Sequence, residues 1–191
     1  DIYEDRLGRY LIQISQKGAS ADDIRTVSRM LHAIGDFERI GDYAVNIEEI
    51  AKSMKDEKIS FSETAVKELD ILTEAIDEII ETTINAFTYD DINIAKAIEP
   101  LEEVIDEMVI ELKHRHIERL KQGKCTIANG MAFAEALNDF ERIADQCSNI
   151  ALLILGERYK DIKGNHHAYI RELHKGGDNL YNSELAKRKE Q

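Results

Sequence analysis

Residues 36–47 read DFERIGDYAVNI, and residues 139–150 read DFERIADQCSNI. Aligned without a gap at an offset of 103 residues, they share Asp36/Asp139, Phe37/Phe140, Glu38/Glu141, Arg39/Arg142, Ile40/Ile143, Asp42/Asp145, Asn46/Asn149 and Ile47/Ile150, eight positions of twelve. A helical core asks only for the apolar members of that set to recur. Recurrence of the acids with them needs a second cause.

The repeat reaches beyond this motif. LIQISQKG (11–18) aligns with HIERLKQG (116–123) at an offset of 105, which sets the first helix against the back half of a later one. Cap and period signals predict a helix over 2–17 ending at Gly18, then a second opened by a Ser20/Asp23 capping box and running to about 55. A Ser60/Glu63 box opens a third helix to 88. Asp90 or Asp91 caps a fourth that ends at Gly123, and Pro100 should bend or break it near Ala97 because its ring clashes and its N–H is missing. A fifth helix over 127–155 stops at Gly156, and two shorter helical stretches flank Gly176 and Gly177. The expected fold is therefore all-α, two tandem three-helix bundles related by the internal repeat, covering 1–89 and 90–191. On this register Asp1 falls opposite Asp106, so the residue matching Glu102 would lie upstream. With no initiating Met and no signal peptide, the sequence reads as a segment of something longer.

Composition agrees with helices and narrows the partners. The 191 residues include one Pro, ten Gly and 33% charged side chains, rich in helix-favouring types. The longest apolar run, 150–155, is far short of the roughly 20 residues that cross a bilayer, so no direct membrane insertion is expected. A net charge of −13 repels nucleic-acid phosphates and anionic lipids, which excludes nucleic acid as a partner and favours cations and basic surfaces. Cys125 and Cys147 have no metal or redox spacing, which suits a reducing, cytoplasmic location.

Glu38 and Asp42, Glu141 and Asp145, and Glu102 and Asp106 are each four apart, placing both carboxylates on one helix face, a turn apart. Among 38 acidic residues such a pair is common on a solvated face. Here, however, Phe37, Ile40, Ala44 and Ile47 form one stripe while Glu38 and Asp42 share another with Leu31 and Val45, so the acids are interleaved with apolar positions. Facing acidic helices must protonate, pair with Arg or hold a metal. Oxygen-only ligands select hard ions: magnesium, calcium, manganese or ferric iron. Arg39 and Arg142 either neutralise these acids or dock a partner, and Asn46 and Asn149 either lend an oxygen to an ion or cap a buried backbone group.

Other constellations carry less. Glu111 and His114 match one Glu-x-x-His of a di-iron bundle, which needs two. His166 and His167 read as a solvated helix start, and Tyr3, Phe37 and Phe87 as core. No phosphate loop, nucleophile elbow or Cys/His pair is present, so no reaction can be assembled and no catalytic residue is named.

The doubled DFERI(G/A)D, each copy preceded by a helix carrying an (E)xxxD, resembles the PhoU family, whose members repeat a three-helix unit with E/D-x-x-x-D motifs. DIYEDRLGRYLIQIS, KHRHIERLKQGKCTIANG and HHAYIRELHK are similar to the soluble tail of bacterial sodium/phosphate cotransporters. The resemblance implies a non-catalytic cytoplasmic regulatory domain whose partner is the membrane transporter segment of its own parent chain. It implies metal ligands at Glu38, Asp42, Glu102, Asp106, Glu141 and Asp145, with Asp1 as a remnant of the first repeat's pair and the second repeat as the better site. Asp36 and Asp139 match a family position that is often acidic but point elsewhere on an ideal helix. The alternative is a metal-free helical scaffold, a free-standing phosphate-signalling regulator of this family, acting through a homodimer or partner docking.

Overall fold

The structure, a computed structural model, describes residues 2–158, 173 and 178–189. It is all-α: α1 Ile2–Ser15, α2 Ala21–Glu57, α3 Glu63–Tyr89, α4 Ile92–Ala95, α5 Ile98–Lys121, α6 Ile127–Arg158 and α7 Asn179–Lys189. The short α4 connects α3 to α5. Asp1, the His166 and His167 pair, Gly176 and Gly177 lie outside the described residues.

Local chemistry sets the boundaries. Ser20 accepts the Asp23 N–H while the Asp23 carboxylate accepts the Ser20 N–H at 2.8 Å, the reciprocal box that opens α2. The cap of α3 is Ser62, whose hydroxyl accepts the Ala65 N–H, and not Ser60 as the spacing suggested. The Ser60 carbonyl is used instead by the Asn129 amide at 2.9 Å, which ties the α2–α3 loop to the start of α6. Asp90 closes α3 in the left-handed region and Asp91 caps α4 by accepting from Asn93 and Ile94. The helix breaks after Ala95, and Pro100 sits in the first turn of α5, where its missing N–H leaves no intrahelical bond unmade.

The core lies where α6 is packed by α2, α3 and α5. Along α3, Ala65, Leu72, Ile76, Ile79, Thr83 and Ala86 recur at helical spacing and face inward. Phe133, Leu137, Ile150 and Ile154 supply the α6 side. Phe37 and Phe87 meet edge to face with centroids 5.4 Å apart, joining α2 to α3. Tyr3 is 78% exposed and so is not core. The first three turns of α1 expose apolar side chains; among the described residues α1 packs chiefly on α2, whereas its repeat counterpart α5 is packed by α3, α6 and α7. Among the described residues no helix is long and apolar enough to cross a membrane.

Candidate cation-binding site

Helix α5 presents Glu99, Glu102 and Asp106 at spacings of three and four, hence on one face. Across from them α6 presents Glu141, Asp145 and Ser148, and the contact of α5 with α6 brings the two faces together. Glu102, Asp106 and Asp145 each offer a carboxylate oxygen within 4.8 Å of the others. The depth is graded: Glu102 is buried, Asp106 half-buried and Asp145 at the open rim.

Crowding like charges in a dry place favours the protonated forms. Burial first, then the charges of Glu99, Asp106 and Asp145, push the Glu102 carboxyl up to about 9. Asp106 rises to about 6, again through burial first and then Asp145 and Glu141. Asp145 is raised too: packing over its inner side and the Glu141 charge outweigh the Arg142 guanidinium, even though much of the residue meets solvent. One Asp106 oxygen, Oδ1, is buried with no hydrogen-bond partner among the described residues. Oxygen donors from three carboxylates, one of them unsatisfied, fit a hard cation, which would replace the protons these groups otherwise need.

Glu141 stands apart from the other expected ligands. Lys113 of α5 donates to its Oε2 at 2.7 Å, so its charge is already answered. In the first repeat, Glu38 is half-buried and Asp42 exposed, and neither joins a ligand cluster among the described residues. Leu31 and Val45, the apolar positions that share their stripe, are both exposed. Val45 is 51% exposed, whereas its repeat counterpart Ser148 is buried beneath α5. The repeat register puts the α1 partners of this pair before Ile2, Asp1 among them, outside the described residues. Asp36 is buried, raised by desolvation, and held by Arg39 Nη1 at 3.1 Å. Arg142 lies 5.7 Å over the Tyr43 ring, so both repeated arginines have intramolecular partners. Asn46 and Asn149 are both exposed.

Two members of the constellation were not singled out in the sequence. Glu99 is buried and accepts a short hydrogen bond from the buried Ser148 hydroxyl. Both lie three residues along the helix face from a predicted ligand, Glu102 and Asp145, and that period was the signal available.

With this geometry in place, known proteins give an unambiguous relation. The PhoU domain family matches residues 1–51 and 69–154. The chain belongs to the PhoU family. Those two blocks carry both DFER segments and the whole carboxylate cluster. A PhoU homolog 1 from Thermotoga maritima, named as a phosphate-specific transport system accessory protein, is 25% identical over 155 residues, 81% of this chain and 65% of its own. A PhoU homolog with the same accessory-protein name from Synechocystis is 24% identical over 152 residues, 77% of this chain and 66% of its own. The chain thus spans just under two thirds of the length of these relatives. The crystal structure of PhoU from Pseudomonas aeruginosa superposes with a TM-score of 0.72 at 20% identity, covering 80% of this chain and 76% of that one, and establishes a shared fold.

Proposed function

We propose that this chain is a PhoU-type regulatory domain that controls phosphate transport by contact, without chemistry of its own, at the cytoplasmic face of the membrane. The observation that carries the reading is the family match across both repeats, with relatives named as accessory proteins of a phosphate-specific transport system. That naming favours a transporter or signalling protein met as a separate chain over the tether to a membrane segment suggested by the cotransporter-like stretches. Residues 1–89 and 90–191 are its two repeat units, and pairing of two copies is a further contact open to it.

Within this reading Glu102, Asp106 and Asp145 hold a hard cation: iron, manganese, magnesium or calcium. Bound, the ion supplies positive charge and no reaction. The chain's own part is to oppose α5 to α6 and keep Asp106 Oδ1 unsatisfied, so that cation or proton occupancy sets how tightly the two helices close.

The test is to measure phosphate uptake, and its response to external phosphate, in the source organism. Three strains are compared at matched expression: one with the chain intact, one with it removed, and one carrying Glu102→Gln, Asp106→Asn and Asp145→Asn together. Removal should change the response, and the triple variant should shift it in the same direction. Unchanged uptake and response after removal would reject the regulatory reading.

A further inference from the structure

Away from the carboxylate cluster, an open trough of about 780 Å³ lies between the last half of α2 and the first half of α6. Its outer end is apolar: Ile50, Met54 and Ile59 from α2 and its following turn face Ala128, Met131 and Ala132 from α6. Met131 is 61% exposed, although it lies on the face turned toward α2. The charged lining is one-sided. Glu49, Glu57, Glu135 and Asp139 stand against the single Arg142, which is already engaged over Tyr43.

Both walls present lining residues at intervals of three and four: Tyr43, Asn46, Ile50, Ser53 and Glu57 on one, and Ala128, Met131, Glu135, Asn138 and Arg142 on the other. That is the spacing with which two helices receive a third. Each wall runs 15 residues, from 43 to 57 and from 128 to 142, roughly 21 Å end to end and about four helical turns. Methionine side chains at the apolar end adapt to varied partners.

We infer that this trough docks a basic amphipathic helix of a partner protein. Apolar side chains of the occupant seat on Met54 and Met131 at the outer end, and its Lys or Arg side chains reach the carboxylates along both edges. The inference rests on the regulatory reading and names the surface through which the contact is made. The same carboxylates disfavour an anionic lipid surface.

The experiment uses the whole chain and a fluorescein-labelled 14-residue peptide with Leu at i, i+3, i+4 spacing and Lys elsewhere, followed by anisotropy at low and high salt. Matched peptides carry Glu for Lys or Ser for Leu. Glu49→Lys with Glu135→Lys, and separately Met131→Asp, should weaken Lys-peptide binding at least about tenfold. Glu74→Lys with Asp77→Lys on the exposed face of α3 should not, and all variants should keep the parent melting temperature within the scatter of surface substitutions.

Equal weakening by the α3 control would overturn the inference in favour of diffuse charge attraction. Binding of the Glu peptide as tightly as the Lys peptide would also overturn it. If sedimentation shows a dimer that the peptide dissociates, the trough belongs to a second copy and the basic-partner assignment fails. These readouts need no phosphate phenotype, so a lost peptide site with normal phosphate control refutes the trough alone, and a lost phosphate phenotype with intact peptide binding refutes only the regulatory reading.

Discussion

Replacing Glu102 with Gln should stabilise the protein, and increasingly so as the pH rises. The folded carboxyl titrates at about 9 against an ordinary 4.5, so between those values the folded state keeps a proton that the unfolded state releases. A group raised in the folded state loses stability as pH rises from the unfolded pKa, so the cost is absent below about 4.5 and complete above about 9. At pH 7 the difference is 2.5 pH units, and at 1.36 kcal/mol per unit this one group costs about 3 kcal/mol. Gln matches the neutral acid in shape and carries no proton to lose. Glu102→Gln should therefore gain about 2–3 kcal/mol at pH 7, a rise of roughly 5–10 °C in melting temperature for a chain of this size. At pH 5 the gain should fall below about 1 kcal/mol. The assay is thermal unfolding by circular dichroism of chelator-treated protein across pH 5–8, with Glu74→Gln as the exposed control. A Glu102→Gln shift that is independent of pH, or a variant less stable than the parent at pH 8, would refute the burial argument.

Two other positions give sharp expectations. Glu68 is buried and accepts from Arg119 Nη1 at 2.7 Å, with Arg119 itself packed 5.2 Å over Phe133; Glu68→Ala strands that guanidinium and should lower stability by about 3–5 kcal/mol in urea unfolding, whereas a loss below 1 kcal/mol would mean the pair is solvated. At Gly130 a Cβ would stand 2.8 Å from His116 Nε2, in a ring stacked on Phe133, so Gly130→Ala should cost about 1–3 kcal/mol by forcing α5 from α6; a neutral substitution would show that His116 can turn aside.

Much of this architecture was legible because helices announce themselves by period and cap. The Ser20/Asp23 box, the Asp91 cap and the break ahead of Pro100 all appear where local chemistry put them. The α3 cap was misplaced by two residues because Ser60 and Ser62 carry the same hydroxyl, and only the tertiary use of the Ser60 carbonyl by Asn129 separates them. The doubled acids drew attention to α2 and α6, yet one repeat motif gave two different environments. Asp145 meets α5 carboxylates while Asp42 meets solvent, and nothing within the twelve residues encodes the neighbour across the interface. The Lys113–Glu141 pair was hidden for the same reason, since its partners are 28 residues apart and no helix period links them. Gly130 likewise reads as an unremarkable helical glycine until the His116 ring is found against it.

The most direct measurement of the central claim is metal content by mass spectrometry of protein purified without chelator. The parent should carry a hard ion that Glu102→Gln, Asp106→Asn and Asp145→Asn each strip, while Glu141→Gln, whose parent side chain is committed to Lys113, keeps it. Equal metal in the parent and in all three cluster variants, or loss with Glu141→Gln alone, would contradict the site drawn between α5 and α6.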